Sequence, residues 1–261
     1  MTQLSLVLLQ FDIAYGDPGK NRQHIRQLFA QANLKPNELV LLPELWDTAY
    51  DLSSLAKISD PEGKNAKEFL SSLAIKYQVF IFGGSIARLS NNKVFNTSYV
   101  LNPEGQVITT YDKAHLFCLM EEDKYLHAGD HLAQFQLADF TAAPFICYDL
   151  RFPEWLRKSA AQKSDLFLIC AQWPSQRILH WEKLLQARAI ENQAFVAAVN
   201  RVGQDPDNQF GGHSMVIDPK GEVLLRLADQ ETTSRCMINQ QEVQKIRSQL
   251  PIFSDRRTNL Y

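Results

Sequence analysis

A cysteine that ends an apolar run and is followed at once by a charged turn has the setting of a nucleophile. The segment Phe145-Ile-Cys-Tyr-Asp-Leu-Arg-Phe-Pro-Glu154 puts Cys147 there, with a helix opening near Pro153. Strand, turn and helix in that order expose a side chain and leave backbone N–H groups beside it. A helix N-terminus also favours thiolate over thiol. The ordinary reading of Cys147, a small buried hydrophobe, stays open on this segment alone. Cys118, Cys170 and Cys236 sit in apolar runs or a late strand and read as core residues.

A nucleophilic cysteine needs a base and a group to hold the oxyanion. Val40-Leu-Leu-Pro-Glu-Leu-Trp46 sets Glu44 directly after a buried strand and a proline. A carboxylate there is desolvated, as a general base working near neutral pH must be; the competing reading is a surface-loop Glu. Tyr111-Asp-Lys-Ala-His-Leu-Phe117 sets Lys113 at the end of a strand, where a fixed ammonium suits a tetrahedral oxyanion. A solvated strand-end Lys is the plainer alternative. His115, two residues on, has the chemistry of a base for Cys147 or of a framework residue. Arg151 and Glu154 read as ties between the turn and its helix, and Arg188 and Glu191 as an i, i+3 ion pair.

These residues hang on alternating strands and helices. Strands are predicted at 4–9, 38–42, 79–87, 96–101, 107–111, 135–137, 143–147, 165–171, 195–200, 214–218, 222–225 and 232–238. Helices are predicted at 21–32, 65–77, 153–161 and 178–193, with a short polar helix near the end. Gly83 and Gly84, inside one apolar run, mark a close backbone approach. No Gly/Ser-rich or charged linker interrupts the alternation, which predicts one α/β domain over residues 1–261. Ser98-Tyr-Val-Leu-Asn-Pro-Glu-Gly-Gln-Val matches Ser214-Met-Val-Ile-Asp-Pro-Lys-Gly-Glu-Val almost position by position. Shared turn chemistry explains such a match, and so does a fold with one such hairpin in each half.

Composition narrows the partners. A formal charge of −2 over 261 residues gives no field for nucleic acid or an anionic membrane. No run reaches the roughly 18–20 apolar residues of a membrane span, and the first residues lack a signal peptide's basic region. Four cysteines are too sparse for a disulfide scaffold, so free thiols in the cytoplasm are expected. The histidines show no metal spacing, and no glycine-rich phosphate loop is present, so neither metal nor cofactor is expected.

Leu-Pro-Glu44, then Tyr-Asp-Lys113-Ala-His-Leu-Phe, then Ile-Cys147-Tyr-Asp-Leu-Arg-Phe-Pro-Glu, in that order, resembles the nitrilase (carbon–nitrogen hydrolase) superfamily. The resemblance extends over nearly the whole chain, through Phe82-Gly-Gly-Ser, His180-Trp, Arg188-Ala-Ile-Glu-Asn-Gln193, Asn200-Arg and Gly212–Gly221. It implies a four-layer α-β-β-α sandwich with pseudo-symmetric halves. It also implies Glu44 as general base, Lys113 as oxyanion holder and Cys147 as nucleophile, with the Tyr148 N–H as second oxyanion donor. A further family Glu falls on Glu122, with Glu121 as its neighbouring rival; it would position substrate or Lys113. His115 is then a framework residue.

Ala171-Gln-Trp-Pro-Ser-Gln-Arg-Ile-Leu-His-Trp181, Tyr50 and Arg201-Val-Gly are similar to the omega-amidase branch, whose members hydrolyse 2-oxoglutaramate and 2-oxosuccinamate. The resemblance thus implies a small-molecule amide substrate carrying a remote carboxylate. Arg177 is the expected carboxylate partner, with Tyr50 and Trp173 on the pocket wall. Alternatives are an amidase for deaminated glutathione or an N-carbamoyl compound, and a non-catalytic interaction protein on the same scaffold. A homodimer is implied, with Phe152, Trp155, Ile252, Phe253, Leu260 and Tyr261 as candidates for its face.

Overall fold

The computed structural model describes residues 3–260, so Tyr261 lies outside the described residues. Two sheets repeat one plan. In the first, Gln3–Gln10, Leu39–Leu41 and Phe80–Phe82 run parallel in that order. Lys93–Leu101 then pairs antiparallel with Phe80–Phe82 and carries Val107–Asp112. Thr232–Asn239 lies antiparallel on the opposite side of Gln3–Gln10. In the second, Phe140–Ile146, Leu166–Ala171 and Phe195–Asn200 run parallel. Met215–Ile217 and Val223–Arg226 follow antiparallel, and Phe135–Leu137 covers the outer side of Phe140–Ile146.

The matched hairpins occupy the same place in the two sheets. Each slips register at the corresponding step, Val100/Leu101 in one and Val216/Ile217 in the other. Each turn is closed by the same pair of bonds. The Gly105 N–H donates to Asn102 O and the Gln106 N–H to Asn102 Oδ1; the Gly221 N–H donates to Asp218 O and the Glu222 N–H to Asp218 Oδ1. Fold symmetry and shared turn chemistry therefore act together here.

Strand alternation separates the layers. Leu4, Leu6, Leu8, Leu39 and Leu41 share a core with Phe145, Phe167 and Val196 of the second sheet. Their neighbours Val7, Leu9, Val40 and Leu42 pack instead on Ile25, Phe29, Phe69 and Leu73 of helices Pro18–Gln31 and Lys64–Tyr77. Helices Pro153–Ala161 and Ile178–Asn192 cover the second sheet through Leu156, Trp181, Leu185 and Ala189. The result is the four-layer α-β-β-α sandwich. The parallel strands are buried on both faces, which is why they read as unbroken apolar runs.

Two departures from expectation have a plain local cause. The first helix starts at Pro18, ahead of 21, because the Asp17 side chain caps the Lys20 N–H at 3.0 Å and Pro18 occupies the first turn. The apolar run 79–87 is two strands, Phe80–Phe82 and Ile86–Ser90. Gly84, at φ +54°, separates them, and a Cβ there would strike the Pro43 and Leu42 carbonyl oxygens. Arg188 and Glu191 form the expected ion pair at 3.1 Å. No helix of the described residues is long and apolar enough to cross a membrane.

Candidate active site

Glu44 sits where the strand Leu39–Leu41 gives way to a turn pressed against Gly83–Ser85. The Leu45 N–H donates to Ser85 Oγ at 2.9 Å, the Trp46 N–H to Ser85 O at 3.1 Å, and Trp46 Nε1 to Gly83 O at 2.7 Å. The Glu44 carboxylate is fully buried. Its Oε1 accepts from Lys113 Nζ and from Asn96 Nδ2, both at 2.8 Å, and its Oε2 accepts from the Gln172 N–H at 2.8 Å. Gln172 Nε2 also donates to Glu44 O at 2.8 Å, while Arg201 Nη1 donates to Gln172 Oε1 at 2.8 Å and so fixes that amide.

Lys113 follows the strand Val107–Asp112 and is fully buried between two carboxylates, at 2.8 Å from Glu44 and 2.6 Å from Glu122. Burial works to discharge it. The negative charges of Glu122 and Glu44 outweigh that and hold the ammonium well above the usual lysine range. Glu122 is the one of the acidic pair in the site. Glu121 takes a left-handed turn at φ +60° and pairs outside with Lys124, while Glu122 is fully buried. Burial raises the Glu122 carboxyl, Lys113 opposes this and Glu44 adds to it. Glu122 Oε2 accepts from the Phe117 N–H at 2.8 Å.

Cys147 opens a short turn, Cys147–Arg151, between the strand Phe140–Ile146 and the helix Pro153–Ala161. Its φ of +45° is strained for a side chain with a Cβ, a feature that clusters at active sites. The expected thiolate needs correction. Burial first, and then Glu44, push the thiol well above its usual range; Lys113 opposes them. At rest the group is therefore S–H, and it requires a base. His115 is not poised as that base: its Nδ1 lies 2.7 Å from Asp149 Oδ1, and its ring stacks on Phe152 at 3.8 Å.

A narrow cleft opens on Cys147. Phe117, Met120, Tyr148, Arg151, Trp173 and Arg177 line it. Trp173 and Arg177 are on the wall as expected. Tyr50 is not on this wall: its hydroxyl donates to Glu122 Oε1 at 2.6 Å, which makes it part of the charged cluster. Arg151 and Glu154 read from the sequence as ties between the turn and its helix. Arg151 instead faces the cavity, 4.7 Å from the Trp173 ring centroid, while Glu154 is exposed. Burial and the neighbouring Arg177 pull the Arg151 guanidinium down, with Tyr148 and Cys147 acting the other way. Two cations thus share one wall, and among the described residues neither has a carboxylate ion-pair partner. Two guanidiniums so placed have the chemistry to hold an anion.

Sequence reasoning missed Asn96, Gln172 and the role of Arg151. Asn96 carried one local signal, a polar residue at a fully buried strand position. Of the cysteines read as core, only Cys170 is fully buried; Cys118 is exposed and Cys236 half-buried, since both lie on peripheral segments.

Comparison with known proteins agrees with this geometry. The family model for carbon–nitrogen hydrolases matches residues 6–248. The chain is 45% identical over 253 residues to a 2-oxoglutaramate amidase of Bacillus subtilis, covering 97% of each. It is 33% identical to an omega-amidase of Escherichia coli K12, covering 98% of this chain and 97% of that protein. A solved CN-hydrolase superfamily protein of Xanthomonas campestris superposes with a TM-score of 0.92 at 31% identity, covering 98% of both chains.

Proposed function

Because the chain belongs to the carbon–nitrogen hydrolase family, we propose that it is an omega-amidase. It hydrolyses the terminal amide of 2-oxoglutaramate or 2-oxosuccinamate to the dicarboxylate and ammonia. The observation that carries this reading is the pair Arg151 and Arg177 on the wall of the cavity that opens on Cys147. The catalytic cluster holds two carboxylates and one ammonium, so an anionic substrate needs its carboxylate held elsewhere. The two guanidiniums supply that hold.

The chemistry is acyl transfer to water. Glu44 takes the proton of the Cys147 thiol as sulfur bonds to the amide carbon. Lys113 and the Tyr148 N–H bind the resulting oxyanion. The carbon–nitrogen bond breaks as Glu44 returns its proton to nitrogen, and ammonia leaves. Glu44 then activates water against the thioester, and the carboxylate is released as Cys147 regains its proton. Glu122 and Tyr50 keep the Lys113 ammonium in place. The proposal extends to a single domain acting as a cytoplasmic homodimer.

A panel of amides scored by kcat/KM tests the substrate. The 2-oxo acid amides are expected to exceed deaminated glutathione and N-carbamoyl amino acids by at least tenfold. Preference for either of those two would overturn the substrate assignment and leave the amidase chemistry intact.

A further inference from the structure

The two oxygens of Glu44 are used unequally. Oε1 accepts from Lys113 Nζ and Asn96 Nδ2, each at 2.8 Å. The Tyr50 hydroxyl lies 3.3 Å from the same oxygen, but its single hydrogen is committed to Glu122 Oε1 at 2.6 Å. Two strong donors fill the lone pairs of Oε1. Oε2 accepts one N–H, from Gln172 at 2.8 Å, and keeps a lone pair.

Asn96 holds its position at a cost to itself. The residue is fully buried, and its own Oδ1 has no hydrogen-bond partner. A buried amide oxygen left unpaired is destabilising and calls for an explanation. Turning the amide over would set that oxygen against a carboxylate, which only accepts. The orphaned oxygen is thus the consequence of keeping an N–H on Glu44.

We infer that Asn96 is a positioning residue: by sharing Oε1 with Lys113, it leaves Oε2 as the Glu44 atom that exchanges protons with Cys147 and with water. This rests on the reading of Glu44 as general base. The thiol proton passes to Oε2 as the carbon–sulfur bond forms, and from Oε2 to the departing nitrogen. In the second half a water proton reaches Oε2 and passes to sulfur as the thioester breaks. Asn96 touches no reacting atom and acts through the orientation of Glu44.

The test is the rate at which iodoacetamide labels the Cys147 peptide, read by mass. Sulfur displaces iodide, and the thiol proton goes to Glu44, so no amide substrate is involved. Glu44→Gln is expected to slow labelling about a hundredfold or more, and Asn96→Leu roughly tenfold. If Asn96 acts through Glu44, the double variant Glu44→Gln/Asn96→Leu labels as slowly as Glu44→Gln alone. The proposal is overturned if Asn96→Leu labels at the wild-type rate, or if it slows the Glu44→Gln protein by its own full factor again. Wild-type labelling of Glu44→Gln would instead remove the general base itself. Should Asn96→Leu fail to melt cooperatively, Asn96→Ala removes the same donor without added bulk and carries the same expectations.

Discussion

His115 is fastened twice to the Asp149 carboxylate: Oδ1 accepts from its backbone N–H at 3.1 Å and lies 2.7 Å from its Nδ1. The other oxygen, Oδ2, accepts from the Tyr111 hydroxyl at 2.7 Å and from the Ile146 N–H at 3.0 Å. Tyr111 and His115 bracket Lys113, and Ile146 precedes Cys147. One buried carboxylate therefore sets the spacing between the ammonium and the nucleophile.

Asp149→Asn should therefore damage both stability and rate. The variant cannot accept from four donors, and breaking a buried network of this kind costs about 3 kcal/mol. Thermal melting should fall by roughly 6–12 °C for a chain of this size. Steady-state kinetics should show kcat reduced more than KM is raised, because Asp149 sets the spacing of Lys113 and Cys147 while Trp173 and Arg177 of the wall lie on another segment. A change confined to KM would contradict this role.

Arg177→Ala and Arg151→Ala should each raise KM for 2-oxoglutaramate by roughly 10–100-fold, the range for losing a charge-assisted bond. An uncharged amide of similar length should lose little in either variant. Parallel losses on both substrates would take the arginines out of carboxylate binding. Arg151→Lys should recover only part of the effect, since an ammonium cannot grip a carboxylate bidentately or stack on Trp173 as a guanidinium does.

A separate prediction concerns pH and stability. Burial raises the Asp47 carboxyl to about 7, with Arg22 opposing and Asp60 adding. The folded state thus keeps a proton that the unfolded chain releases above its ordinary value of 3.8. The contribution is fully present below that value and is lost as pH rises through about 7. Asp47→Asn removes the ionisation. Its unfolding free energy, read from denaturant melts, should match the wild type near pH 4 and exceed it increasingly up to about pH 7, by roughly 1.4 kcal/mol for each pH unit. An advantage that is constant with pH would contradict the assignment.

What the sequence disclosed was what local order can carry. Glu44, Lys113 and Cys147 each stand at the end of a strand with a recognisable flank, and the hairpin repeat announced the two similar sheets. Glu122 could not be separated from Glu121 by sequence, because the choice depends on the left-handed turn at Glu121 that sends one side chain out and the next one in. Asn96 and Gln172 reach Glu44 across 52 and 128 residues, contacts that no local pattern encodes. The place of Arg151 is hidden for the same reason: it meets the Trp173 ring and His180, both distant in sequence from its own turn and helix. The protonation of Cys147 is likewise not local: burial and the carboxylates of Glu44 and Glu122, all set by the fold, push the thiol up.

The most direct measurement is ammonia release from 2-oxoglutaramate by the wild-type protein and by Cys147→Ala, with melting curves recorded for both. The wild type should release ammonia and 2-oxoglutarate in equal amounts, and Cys147→Ala should release none while melting at nearly the same temperature. Ammonia release by a folded Cys147→Ala at the wild-type rate would contradict the thioester mechanism.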